Sequence, residues 1–432
     1  MLGVGLAMTG AAVRNAPRGP FTPASLFSGP GALGVWCDPS QTGSLLRDST
    51  GRMPAAAPGD PVGLALDFSG TARLQPLQQS LGAELVANGG FETGSSWTMN
   101  NGATIAGGAL NLFAVNDAGK QNLAGSPGKI CLVSFEAVRT SGTKLRVYLG
   151  GEIVWEQNAQ TGSFSLVLQA GSATDELQFR SNGFAGTISN VSVRGILPLG
   201  SRLTGLGPEL AVNGGFDSGS GWVVAGDAPP SIVSGAADFS SNSAGSAELA
   251  QSGVMVPGNW YLCSFECSQP GALQVQTGGG YTGALTVAAG MNSALVKAEG
   301  PAIGVRAGAA GQFTGAIDNF SVRQVPGRHA AQPVNDDFRP TLAQDAGSGA
   351  WYLSDDQIDD YLTVDLPDLG TDATEWWADG NGVTLAGGLT IGAGARNLPG
   401  SQKLYAYGVI NRALTAAETA SLTGYLNEMR GL

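Results

Sequence analysis

The sequence predicts an all-β protein built of tandem β-sandwiches and closed by a single helix, and three observations carry that prediction. First, 67 of the 432 residues are Gly and only 13% are charged, while Ser, Thr, Asn and Ala are abundant. That mix suits short strands joined by tight turns, because Gly supplies positive φ and Asn or Ser bonds its own backbone. Second, one motif is written twice, as ELVANGGFETGSSW at 84–97 and as ELAVNGGFDSGSGW at 209–222. The copies also close alike, in FAGTISNVSVR at 184–194 and FTGAIDNFSVR at 313–323. A period of about 125 residues is too long for a solenoid unit and right for a small β-domain. Third, apolar and polar residues alternate with period two inside both copies, which marks strands buried on one face.

The elements follow in chain order. Residues 1–30, rich in Gly, Pro and Ala, read as an extended N-terminal anchoring arm. Residues 31–80 hold short apolar runs broken by Asp-Pro, Thr-Gly and Ser-Gly, too little for a core of their own. Residues 81–196 form the first module and 206–325 the second, with PLGSRLTGLGP (198–208) as linker. In the first, KLRVYLGGEIVW (144–155) predicts a hairpin around Gly150 and Gly151. It directs Leu145, Val147 and Leu149 to one face and Arg146 and Tyr148 to the other. In the second, ALQVQTGGGY (272–281) directs Leu273 and Val275 inward and Gln274 and Gln276 outward. Each apolar face needs a second sheet to pack on, which makes each module a sandwich. Residues 326–432 form a C-terminal unit. Its strand LYAYGVI (404–410) is followed by a capping box of Thr415 and Glu418. The helix so opened puts Leu422, Tyr425, Leu426 and Met429 on one stripe and is closed by Gly431.

Hydrophobic residues make up 43% of the chain, enough for real cores, and the formal net charge is −12. The 22 basic residues are scattered singly. That argues against nucleic acid and anionic membrane surfaces as partners, which need clustered cations. Low charge with many small polar residues suits a neutral, hydroxyl-rich ligand or an assembly surface. No run approaches the ~18 apolar residues of a membrane span. The apolar N-terminal stretch LGVGLAMTGAAV is followed, not preceded, by Arg14 and Arg18, the wrong order for a signal peptide. It reads as a peptide that docks on a partner protein, or as disorder. Cys263 and Cys267 share a strand, where they would sit ~13 Å apart, beyond the ~7 Å a disulfide spans. Cys131 aligns with neither when the SFE triplets (134–136 and 264–266) are superposed. With Cys37 they read as buried free thiols, suited to folding in a reducing cytoplasm.

Both modules, from end to end, resemble carbohydrate-binding-module jelly rolls, whose openings look like ELVxNGxFExGxxxW and whose last strands look like IDNVSVR. GVWCDPSQTGSLLRDSTG, followed by PGDPVGLALDFSG, is similar to the N-terminal segment of bacteriophage tail and fibre proteins. So is the stretch 325–364, which in those proteins leads into a concanavalin- or laminin-G-like sandwich. NRALTAAETASLTGYL (411–426) resembles the closing turn and helix of such sandwiches. The family's phrase FDGxDDyl is here LSDDQIDDYL, without its glycine. The resemblance implies tandem jelly-roll β-sandwiches plus a C-terminal β-sandwich-like unit ending in one helix. That unit is either trimmed or completed by residues 31–80, with the jelly rolls inserted between. It further implies a tail-fibre- or spike-type virion component, made and folded in the host cytoplasm, that attaches to the host surface.

Sugar sites need a flat aromatic and a few fixed polar groups. On the outward faces the candidates are Arg146, Tyr148, Gln274, Gln276 and Tyr281, and in the C-terminal unit Trp376 or Trp377. The last two are adjacent, so one of them faces out of any strand. Trp155 shares parity with Ile153 and is a core alternative. Trp97 and Trp222, at the ends of the repeated motif, read as core closures, and Asn88 and Asn213 as turn residues. The resemblance implies a structural calcium between the opening loop and the last strand. Asp217 and Asp318 would serve in module two, and Glu92 in module one, where Ser189 replaces the second carboxylate; Ca²⁺ takes hard oxygen donors of this kind. The alternative for each is an ordinary turn carboxylate. Catalysis finds little footing. His329 is the only histidine, and it falls in the connecting stretch PGRHA. Asp355, Asp356, Asp359 and Asp360 crowd one turn. The expected role is adhesion to host polysaccharide without chemistry. The N-terminal arm would be held by other virion proteins, and a homo-oligomer, a trimer by resemblance, would multiply the sites. Two other roles stay open: a purely structural tail, spike or capsid-decoration subunit, and a polysaccharide depolymerase.

Overall fold

A computed structural model describes residues 21–432 except 159, 243, 244, 310 and 333–335. The apolar stretch LGVGLAMTGAAV and the rest of residues 1–20 lie outside the described residues. Antiparallel strands dominate the chain, so the fold is all-β. The strands gather into two units. One holds residues 46–57 and 71–326, and the other holds residues 21–45 together with 58–70 and 327–432.

In the first module two long strands, Ile130–Leu149 and Glu176–Ile196, pair along most of their length. Both bend midway, where the register shifts between Arg139 and Leu145. The bend needs Gly142, because a Cβ there would meet the Gly183 carbonyl oxygen at 1.6 Å. Each strand therefore runs through both layers of the sandwich. Its early inward residues, Val133 and Phe135, and its late ones, Val147 and Leu149, fill one core. The second module follows the same path with interruptions. Trp260–Cys267 and Gly271–Val275 replace the first long strand, and Ile303–Ala307 and Ala316–Val325 replace the second. The break after Cys267 is SQP, and Pro270 has no N–H for a ladder. The sheets of module two are accordingly separate, where those of module one are hydrogen-bonded into one.

The repeated motif turns out to be a clasp. Asn88 and Asn213 both take φ 55°. The Asn213 amide donates to the Ser218 and Ser220 carbonyls, and its oxygen accepts from Asp217 N at 3.0 Å. Asn88 repeats this with Thr93, Ser95 and Glu92. The next residue must be Gly, since a Cβ on Gly89 or Gly214 would sit 1.9 Å from the Val191 or Phe320 carbonyl oxygen of the last strand. The Glu that opens each motif reaches the same strand: Glu84 accepts from Val193 N, and Glu209 from Val322 N, both at 2.8 Å. The two repeated ends of each copy are thus one device that locks the first residues of a module to its last strand.

The linker between the modules is ordered. Its residues form the short helix Leu199–Arg202 and the strand Leu203–Thr204, which pairs with Arg73–Leu74. A strap of residues 46–57 touches both modules: Arg47 donates to the Val167 carbonyl at 3.1 Å, and Leu295 N donates to the Thr50 carbonyl at 2.7 Å. Gln169 Nε2 reaches the Thr286 carbonyl at 2.9 Å.

The other unit is a sandwich too. Gly34–Cys37 pairs with Leu404–Ile410, beside Gly370–Asp379 and Val383–Ile391. Leu64–Ala65 pairs with Ala330–Ala331, beside Thr363–Leu366 and Gly394–Asn397. Residues 31–80 are therefore divided: 34–37 and 64–65 are strands of this unit, whereas 46–57 and 71–80 belong with the jelly rolls. The helix Ala416–Met429 starts at the capping box and lays Leu422, Tyr425, Leu426 and Met429 against Trp36 and Trp376. One expectation is corrected for residues 21–30. They are no free arm: Pro23–Phe27 is a 3-10 helix whose Leu26 is buried in this core, because Phe21, Leu26 and Phe27 carry too much apolar surface to leave in water. His329 is corrected as well. It is buried, its Nδ1 accepting from Asp67 N at 3.0 Å. Asp67 in turn accepts from the backbone N–H groups of Trp36, Ser69 and Arg328, so one carboxylate ties the chain where it leaves this unit to where it returns. All four cysteines are buried free thiols, and burial pushes Cys131 and Cys267 up to about 12. Among the described residues no helix is long and apolar enough to cross a membrane.

Candidate functional site

The outward face of module two gathers the richest set of polar groups. Ala247–Gln251, Ile303–Ala307 and Gly271–Val275 lie side by side, and their register sets Glu248 opposite Arg306 and Arg306 opposite Gln274. Alternation keeps Leu249, Val305 and Leu273 in the core, so these three polar residues share the other face. The TGGGY turn brings Tyr281 back beside Gln276. The Arg306 guanidinium lies 4.9 Å from the centre of the Tyr281 ring. Burial, then hydrogen bonding with Glu248, pushes the Tyr281 phenol up to about 12, so it is a neutral donor at any physiological pH. Two buried polar atoms here, Arg306 Nε and Gln276 Oε1, have no hydrogen-bond partner among the described residues. Gln274 is partly committed, donating to the Thr282 carbonyl at 3.1 Å.

The equivalent face of module one is built of ion pairs. Lys144 bonds Glu156 at 2.8 Å, and Arg146 pairs with the same carboxylate. The two cations, Lys144 first, hold Glu156 down at about 2. Lys120 and Glu176 form another bridge at 2.8 Å, and Arg180 donates to Asn116 at 2.6 Å. Tyr148 stands half-buried beside them, opposite Gln178 and Ile153. Arg146 is thus engaged within its own sheet, whereas Tyr148 presents an aromatic surface. Trp155 takes its core alternative, packing edge-on to Phe135 and Phe164.

Of the two adjacent tryptophans, Trp376 is withdrawn as a ligand residue. It has no exposed surface and packs on Trp36 and Phe27 beneath the helix. Gly408 opposite it is needed, since a Cβ there would meet the indole at 2.4 Å. Trp377 faces the other way, half-buried, opposite Tyr407 and Thr384. On that side Glu375 is held by Arg396 at 2.6 and 2.8 Å and by the Tyr407 hydroxyl at 2.9 Å. Trp97 and Trp222 are core closures: each packs on the Phe of its motif, and each indole N–H is donated to Asn88 or Asn213 O.

The calcium candidates lie at the opening loops and on the last strand of module two. The Thr93, Ser95, Ser218 and Ser220 carbonyls of these loops accept from the Asn88 and Asn213 amides. Glu92 and Asp217 are exposed, and Asp318 accepts from Asn319 N at 2.6 Å. Among the described residues, the acids that do converge are Asp355, Asp356 and Asp360, whose oxygens lie within 4.8 Å of one another. They form a turn, each accepting from a backbone N–H of that segment. Gln357 stands where the resembling family has Gly, and the turn survives with Gln357 at φ 63°.

Glu248 and Arg306 are the residues that sequence reasoning missed. Their signal was present as single polar residues in AELAQ and IGVRA, but only strand pairing shows that they form a row with Gln274, Arg306 lying between the other two.

No family model matches the chain, and no curated protein matches it. Among solved structures, it is similar to the tandem CBM22 domain of Paenibacillus barcinonensis Xyn10C. Identity is 12% and TM-score 0.23, over 56% of this chain and 98% of that one. A carbohydrate-binding module of the β-sandwich superfamily is similar at 12% identity and TM-score 0.18, over 53% and 99%. The major capsid protein P2 of bacteriophage PM2 is similar at 9% identity and TM-score 0.14, over 56% and 98%. Likenesses this weak carry no argument about ligand or role.

Proposed function

We propose that the chain is a polysaccharide-binding adhesin of a phage-type particle, attaching to host surface glycan through the outward faces of its jelly rolls. The observation that carries the binding part is the outward row of Glu248, Arg306 and Gln274 beside the half-buried Tyr281 ring. A row of charged and amide groups beside an aromatic ring offers the donors and acceptors that sugar hydroxyls bond. The C–H face of a sugar suits the Tyr281 ring. Glu248 and Gln274 would hold neighbouring hydroxyls. The reaction class is binding without bond-making. The virion setting is supported by the sequence resemblance of 34–51, 58–70 and 325–364 to phage tail and fibre proteins. In that setting the N-terminal arm is held by other virion proteins, and a trimer multiplies sites that are weak singly.

The test is a glycan array and a pulldown with host-envelope polysaccharide, on the full chain. Saturable binding that free polysaccharide competes away, and that Tyr281→Ala weakens at least tenfold, is the expected result. A folded protein that binds no glycan ends this reading. A structural subunit making only protein contacts would then stand, and the self-satisfied ion pairs of the module-one face favour it.

A further inference from the structure

The geometry points to a second binding site, in the cleft between the two jelly rolls, for a carboxylate-bearing saccharide of one or two rings. The inference rests on the glycan-binding reading above and names a separate place and ligand charge.

The cleft has a volume of about 370 Å³, at the lower end of the ~300–1,000 Å³ of small-molecule sites. Its shape is set before any ligand arrives, because Arg47, Thr50 and Gln169 pin the modules as described above. Gly128 lets them approach: a Cβ there would meet the Val287 carbonyl oxygen at 2.3 Å. Gly82, Gly128, Gly195 and Ala289 line the walls, so a flat ring can come close to the main chain. Ile130, Leu199 and Met291 supply an apolar floor, and Met291 is 41% exposed.

Charge decides the ligand class. The chain carries −12, yet no Asp or Glu lines the cleft, and its two charged residues are Arg52 and Lys129. Arg52 bonds the Thr286 carbonyl, and burial holds it below its ordinary range against the opposing pull of Asp48. The main chain of Lys129 is bonded to Ser126 and Ala170, but its ammonium has no ion pair and no hydrogen-bond partner among the described residues. The other polar side chains of the wall are committed: Asn292 bonds Ala288 N and O, and Ser293 accepts from Gly200 N. An ammonium at the edge of an apolar, small-walled slot is matched by a ring that bears a carboxylate on one side and C–H groups on its faces. A hexuronate has that chemistry.

The test is calorimetric titration of the full chain with a diuronate and with the neutral disaccharide of the same linkage. The diuronate is expected to bind. Lys129→Met should weaken it at least about tenfold, as loss of a charge-assisted bond does, and Lys129→Arg should restore most of it. Ala289→Trp, at an exposed wall position, should block the cleft without disturbing the core, and both variants should keep the wild-type melting temperature. Binding of neutral glycan that depends on Tyr281 should be unchanged in both. The cleft site is overturned if the diuronate binds both variants as it binds the wild type, or if an acidic peptide competes as well as the uronate does. If neutral glycan still binds in that event, the face reading survives alone; if no saccharide of either kind binds, both fall.

Discussion

Asn213 and its neighbour Gly214 carry more of module two than their size suggests. The Asn amide replaces two backbone donors, and the missing Cβ of the Gly admits the Phe320 carbonyl. Gly214→Ala should destabilise the unit holding the jelly rolls by about 3 kcal/mol or more, since backbone cannot yield as a side-chain tip can. A denaturant titration that moves by less than about 1 kcal/mol would contradict the clasp. Glu209→Ala removes an acceptor from the Ala211 and Val322 N–H groups and from the Ser321 hydroxyl. The expected cost is ~1–3 kcal/mol, read in the same titration, and Glu84→Ala should cost about as much because its contacts are the same. These residues were legible as a repeat, but their role was not. The motif reads as an opening strand and turn, and only the fold shows that it grips a strand more than a hundred residues later.

At the scale of the element, the C-terminal helix begins on a network of Thr415, Glu418 and Arg412. Arg412 bonds both Glu418 oxygens at 2.7 and 2.9 Å, and the Thr415 N–H adds to it. Arg412 first, then Thr415, hold the Glu418 carboxyl at about 2, below the ~4.3 of an unfolded chain. A depressed acid favours the folded state above its unfolded value. That support is full above about pH 5 and drains as the pH falls through 4 towards 2. Melting temperature followed from pH 6 to 2 should show this loss, and Glu418→Gln should flatten that part of the slope; an unchanged slope would remove the network from the account. The Asp355–Asp360 turn offers a simpler check. Gln357 occupies a left-handed conformation that Gly adopts freely, so Gln357→Gly should hold or raise stability by up to ~1 kcal/mol.

On the scale of the whole molecule, the two jelly rolls lie in one unit with an ordered linker and a strap that bonds both. If both outward faces bind glycan as proposed, their fixed spacing makes them one bivalent ligand when the glycan repeat matches it, with a gain of ~10²–10⁴ over a single site. Tyr148→Ala or Tyr281→Ala alone should therefore weaken binding to immobilised polysaccharide far more than binding of a short oligosaccharide to the remaining face. Equal losses in both formats would show that the faces work independently.

What the sequence determined by itself was local and periodic. The repeat gave two modules, alternation gave the inward Leu145, Val147, Leu273 and Val275, and the three-residue spacing of Thr415 and Glu418 gave the helix cap. Each of these depends on neighbours within one strand or one turn, where the backbone repeat dictates direction. The tertiary structure decided what depends on distant partners. Parity sends Trp376 and Trp377 to opposite faces but cannot say which face the helix covers, and both faces of that sheet are covered. His329 looks like a linker residue until Asp67, 262 positions away, meets it in the core. Glu248, Arg306 and Gln274 form a row only because three strands pair in one register. Residues 31–80 divide between two units because short apolar runs have no core of their own and must join whichever sheet edge the fold presents. Burial and register are properties of the assembled chain, and no window of sequence contains them.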